Sequence, residues 1–124
     1  LLILVGSNIL IDRVIINKSL DKGISVGENS SALVQNTELS YCNIGVAVKD
    51  ESTSELKNLN VDNCEYGIAG YRKKPEFGPP SIVASSINLI NVSSKYLIEK
   101  ESSMSLDNVD IEFKRKNVFK ILYE

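Results

Sequence analysis

The stretch Tyr71-Arg72-Lys73-Lys74-Pro75-Glu76-Phe77-Gly78-Pro79-Pro80 gathers three adjacent cations, two aromatic rings and three prolines. Arg72, Lys73 and Lys74 have the charge to meet an acidic glycan or a carboxylate-rich protein surface. Tyr71 or Phe77 could stack on a sugar ring, and Glu76 belongs to the same candidate surface. Proline and glycine restrict the segment, which lowers the entropic cost of holding a ligand. The competing reading has Phe77 folded back onto its surroundings and the lysines solvated.

Catalytic chemistry has less to work with. The chain contains no histidine, so Ser/His and Cys/His nucleophile arrangements are excluded within it. The acids to consider are Asp50, Glu51, Asp62, Glu65, Asp107 and Asp110. Asp62 and Asp110 fall in different slots, beside Val61 and before Ile111, and do not make a paired-carboxylate site for glycoside hydrolysis. A calcium site needs several converging carboxylates, and Asp50-Glu51 alone reads as solvated turn charge. Cys42 and Cys64 are the only thiols, and two soft ligands without a third nearby do not make a zinc site. No cofactor and no metal is expected.

What positions these residues is a step of about 22 residues. Asn36-Thr37-Glu38-Leu39 is followed 22 residues later by Asn58-Leu59-Asn60-Val61, and Cys42, Gly45 and Val46 by Cys64, Gly67 and Ile68. Longer columns run Val34, Leu56, Ala84, Leu106; Asn36, Asn58, Ser86, Asn108; Thr37, Leu59, Ile87, Val109; Leu39, Val61, Leu89, Ile111; and Val46, Ile68, Tyr96, Val118. Their steps are 22, 28 and 22, so six extra residues fall within 71–80 and define an inserted loop. Val14 and Ile16 stand 23 residues before Thr37 and Leu39, and Ile3 and Val5 are expected in the slots of Ile24 and Val26.

A fixed period in this range is the mark of a solenoid. Leu59-Asn60-Val61 and Ile87-Asn88-Leu89 alternate as half-buried strands do. Such strands are too short to bury a core alone, and stacking like on like solves the problem. The expected fold is all-β: a single-stranded parallel β-helix of about five coils, each about 4.8 Å from the next. Amphipathic helical spacing is not sustained anywhere. Gly23, Gly45 and Gly67 recur before a strand, where positive φ is expected. Ser30, Ser52 and Ser102 recur in a polar corner, and Asn36, Asn58 and Asn108 suggest a hydrogen-bonded ladder. Cys42 and Cys64 share one slot in neighbouring coils, close enough for a disulfide by distance alone, but parallel side chains suit that geometry poorly and stacked, buried free thiols are the favoured reading.

The Gly-Ile/Val-x-Val units Gly23–Val26 and Gly45–Val48, with the Asn-x-x-Leu/Val units Asn36–Leu39 and Asn58–Val61, resemble the right-handed, pectate-lyase-like parallel β-helix superfamily. That resemblance implies a right-handed coil and no particular activity. Gly45 to Ser52 and Tyr71 to Pro79 resemble, more narrowly, the β-helical tail of bacterial surface or exported proteins that carry a CotH-type kinase-like domain. No kinase-like segment is present here, so the implied role is an accessory or display module, extracellular or on a bacterial cell surface.

At 124 residues the expectation is one β-helix domain over 1–124, the C-terminal part of a longer array, ending in a charged capping coil at 112–124. There Val118, Phe119, Ile121 and Leu122 are expected to tuck in last. A net charge of −2 argues against a general nucleic-acid or anionic-membrane binder. The apolar stretch Leu1 to Val5 is too short to span a membrane. Two functions survive. One is a noncatalytic structural or binding module meeting a polysaccharide or cell-surface protein, with end-to-end self-association through the N-terminal coil compatible. The other is the tail of a polysaccharide lyase or hydrolase whose catalytic coils lie elsewhere.

Overall fold

The computed structural model describes residues 1–3 and 6–124. Val5, assigned above to the slot of Val26, lies outside the described residues. The fold is all-β with one short helix. In chain order the elements are β1 (Leu2–Ile3), β2 (Asn8–Asp12), β3 (Ile15–Asn17), β4 (Lys22–Val26), β5 (Ser31–Ser40), β6 (Ile44–Lys49), β7 (Thr53–Tyr71), β8 (Ser81–Ile98), β9 (Ser103–Leu106), β10 (Val109–Asp110) and α1 (Val118–Tyr123).

The strands join in one hydrogen-bonded sheet, and every strand pairing except β9–β10 is parallel. Partners fall into three groups. In the first, Ile11, Val34, Leu56, Ala84 and Leu106 stand in register. In the second, Ile16, Leu39, Val61 and Leu89 do. In the third, Ile24, Val46, Ile68 and Tyr96 align beside Val26, Val48, Gly70 and Ile98. These side chains converge on one apolar core in which Ile24, Val46, Leu56 and Ile68 are fully buried. Each such burial contributes about 1.5–3 kcal/mol.

The long strands β5, β7 and β8 bend, or in β5 also end, where a single residue takes positive φ. Asn36 (51°), Asn58 (55°) and Ser86 (54°) form one such column, and Tyr41 (56°), Asn63 (53°) and Asn91 (54°) another. Asp50 (46°) and Glu51 (63°) make the corner after β6. Asparagine tolerates this conformation better than other side chains because its short amide bonds locally. Seven of the fifteen positive-φ residues other than glycine, among those described, are asparagine.

The recurring glycines act differently from expectation. Gly23, Gly45 and Gly67 do not have positive φ. They are needed for space: a Cβ on Gly45 would lie 2.7 Å from the Gly67 carbonyl oxygen, and one on Gly67 2.5 Å from that of Lys95. The serine column is a buried hydrogen-bond chain. Ser7 N–H donates to Ser30 Oγ (3.3 Å), and Ser30 N–H to Ser52 Oγ (3.1 Å). Ser102 Oγ is buried without a partner. Ser103 N–H donates to the carbonyl of Pro80, so Pro80 holds the preceding slot, and proline has no N–H to offer.

The two ends correct the sequence reading. Ile3 pairs with Val26, not with the position of Ile24. Val109 leaves its column, turns back to pair antiparallel with Leu106, and is 68% exposed. Residues 112–117 add one bridge, Glu99 to Arg115, beside the third strand group. Val118 then continues not as a strand but as α1, a helix that the sequence pattern missed. Val118, Phe119, Ile121 and Leu122 pack with Ile44, Ala47, Ala69, Tyr71 and Leu97. Ala47, Ala69 and Leu97 alternate with the core-facing Val46, Val48, Ile68 and Ile98, so α1 covers the outer side of the third group as a strap. Six residues of helix span about 9 Å, about two strand spacings. The far end is pinned where the Tyr123 hydroxyl donates to the Asp21 carboxylate (3.1 and 3.2 Å) and Lys22 lies 5.0 Å from the Tyr123 ring centre.

Candidate binding cleft

The inserted loop follows directly from β7 and returns at β8. Its anchor is the corner after β6. Asp50 is 1% exposed, and its Oδ1 accepts hydrogen bonds from the backbone N–H groups of Lys73 (2.7 Å) and Lys74 (2.9 Å). Glu51 Oε1 accepts from Gly78 N–H at 2.9 Å, and Glu51 N–H donates to the Gly78 carbonyl at 2.7 Å. Asp50 is therefore not a solvated turn charge, whereas Glu51 is exposed. Asp50 is buried, and together they hold both limbs of the loop. Charge-assisted bonds of this kind are about twice as strong as neutral ones.

A second anchor is Glu99. Its Oε1 accepts from Arg72 N–H and its Oε2 from Val118 N–H, both at 3.2 Å. One carboxylate thus ties the loop to the start of the strap. Arg72 pairs with Glu101 (3.2 Å) and reaches the Phe77 carbonyl (3.5 Å), while Lys74 pairs with Glu28. Phe77 is half-buried and Glu76 exposed. Tyr71 is fully buried against the strap and cannot stack on a sugar ring.

Between the loop and residues 116–117 lies an open cleft of about 390 Å³, lined by Arg72, Lys73, Pro75, Glu99 to Glu101, Lys116 and Asn117. Among the described residues, Lys73, Lys100 and Lys116 make no ion pair. Of the six loop residues singled out from sequence, Arg72 and Lys73 line the cleft. Lys74 is turned to Glu28, and Tyr71 belongs to the strap interface. Lys100, Lys116 and Glu99 were missed. Glu99 and Lys100 stand beside the loop because the β7–β8 register continues past Gly70 and Ile98, whereas Lys116 is brought in by the Glu99–Arg115 bridge, which no local pattern signals.

The remaining residues sit elsewhere. Asn36 Nδ2 donates to Asp12 Oδ1 (3.0 Å) and Asn58 Nδ2 to Asn36 Oδ1 (2.8 Å), an exposed ladder. Asn108 takes no part in it. Its neighbour Asp107 instead accepts from Ser86 N–H at 3.1 Å. Cys42 and Cys64 are free and buried, their thiols directed at the carbonyls of Ser40 (3.5 Å) and Asp62 (3.4 Å). Burial pushes the Cys64 thiol above its ordinary pKa. Asp62 lies on the second strand group and Asp110 on the terminal hairpin. Among the described residues no three potential metal ligands converge, and no helix is long and apolar enough to cross a membrane. Comparison with family models, curated proteins and solved structures finds no match to this chain.

Proposed function

We propose that this chain is a segment of a right-handed parallel β-helix serving as a noncatalytic module of an exported or surface protein, with the cleft beside the inserted loop as its recognition site. The parallel pairing at offsets of 22, 23 and 28 residues supports the helical winding. The handedness and the exported setting rest on the resemblance in sequence. The observation that carries recognition is the convergence of Lys73, Lys100 and Lys116, unpaired among the described residues, in a chain whose net charge is −2. Unpaired lysines on one cleft, held by a doubly anchored loop, suit an acidic polymer whose charges they neutralise at little conformational cost. An acidic glycan is the ligand class.

The test is calorimetric titration with polygalacturonate, with neutral glycans as controls, of the wild type and a Lys73→Ala/Lys100→Ala/Lys116→Ala variant. Circular dichroism checks folding. The expected result is salt-sensitive binding that weakens about tenfold or more in the folded variant. Binding that survives the triple substitution, or none by the wild type, overturns the recognition site.

A further inference from the structure

The outer side of the third strand group holds a second feature, independent of the cleft reading. Lys49 and Tyr71 are register partners on β6 and β7, and both face the strap side. Lys49 is 9% exposed and Tyr71 is fully buried. Among the described residues the Lys49 ammonium makes no ion pair or hydrogen bond, and the Tyr71 hydroxyl is buried without a hydrogen bond. A buried hydroxyl without an acceptor is unusual, because it forfeits its bonds to water, and a largely buried lysine without a counter-ion stands beside it in register.

The charges around them are already matched. Asp21 is taken by Lys22 (2.7 Å) and by the Tyr123 hydroxyl. Glu28 is taken by Lys74, and Asp50 by two backbone N–H groups of the loop. Lys49 is left without a counter-ion, with Lys22 and Lys73 adding positive charge nearby. The Lys49 stem packs over Gly27, just past β4: a Cβ there would lie 3.3 Å from Lys49 Cε and 3.6 Å from Nζ.

We propose that Lys49 and Tyr71 form a site for a single carboxylate, entering between the inserted loop and the distal end of the strap. The ammonium supplies the charge, and the hydroxyl supplies a second donor. A monoanion matches the one uncompensated charge. The carboxylate belongs either to a uronic acid sugar or to an acidic amino-acid side chain.

The experiment is thermal unfolding in acetate, glucuronate and N-acetylaspartate amide against chloride at equal ionic strength. The proteins are the wild type, Lys49→Met, Tyr71→Phe and Lys100→Ala. The expected result is a wild-type Tm that rises with carboxylate concentration. The rise disappears in Lys49→Met, needs about tenfold more ligand in Tyr71→Phe, and persists in Lys100→Ala, whose lysine belongs to the cleft. Whichever of glucuronate and N-acetylaspartate amide acts at lower concentration names the source of the carboxylate. No rise with any of the three in the wild type overturns the site, as does an equal rise in Lys49→Met. Loss in Lys100→Ala would place the carboxylate in the cleft and overturn it as well.

Discussion

The third strand group is buried on two sides, and the two sides are built differently. Inside, Ile24, Val46 and Ile68 stack in register, fully buried, with only apolar neighbours to satisfy. Outside, Ala47, Ala69 and Leu97 meet the strap, but Lys49 and Tyr71 are buried with them and lack polar partners. The inner side is a packing solution that repeats from strand to strand. The outer side is closed by one helix used once, and it carries the polar groups a core excludes. Burial alone therefore does not identify a core; the satisfaction of the buried groups separates scaffold from site.

Breaking the inner side has the largest effect. Ile68→Ala removes a fully buried side chain from the centre of its column and should cost about 4 kcal/mol in denaturant unfolding. Gly67→Ala lies between the two sides. Its Cβ meets the Lys95 carbonyl oxygen at 2.5 Å, and relieving that contact should cost about 2–3 kcal/mol by the same measurement. If Gly67→Ala were neutral, the glycine column would have no packing role.

The outer side is expected to yield less. Val118→Ala uncovers part of the strap interface and should cost about 2 kcal/mol. Backbone amides of Val118–Tyr123 should then exchange faster before global unfolding, because the strap leaves first. A cost equal to that of Ile68→Ala would make the strap part of the core.

The smallest effect has the opposite sign. Lys49→Met should raise stability by about 1 kcal/mol near neutral pH, because it removes a buried charge without a partner. Burial lowers the Lys49 pKa below 10.5, and Lys22 and Lys73 lower it further, while Asp50 and Glu28 act the other way. The folded chain therefore gives up this proton before the unfolded chain does. Stability rises with pH from the folded pKa toward 10.5, where only the unfolded state still holds the proton. The advantage of Lys49→Met should accordingly be full below the folded pKa and shrink as pH rises through it. Denaturant unfolding of both proteins from about pH 6 to about pH 10 reads that gap.

The inner side was legible in the sequence because its residues recur at a constant step. Val34, Leu56 and Ala84 could be aligned before any strand was seen. The glycine column was legible in position but not in cause, since positive φ and close approach select the same residue. The outer side left little trace. Ala47 and Ala69 are too small to stand out, and Val118 to Tyr123 is too short for a helical period to show. Lys49 ends an alternating strand and looks like any solvated lysine. It is buried because the loop at 71–80 and the strap come from elsewhere in the chain. The cleft is partly hidden for the same reason: the β7–β8 register sets Lys100 beside the loop, but Lys116 joins only through the bridge at Glu99 and Arg115.

The measurement that bears most directly on the contrast between the two sides is the pKa of Lys49, read from the 13Cε shift in an NMR titration with Lys49→Arg to assign the resonance. A largely buried Lys49 without a counter-ion should titrate below 10.5 in buffer and move upward when acetate is added. A value at or above 10.5, unmoved by acetate, would mean a solvated or already paired lysine and would contradict that contrast.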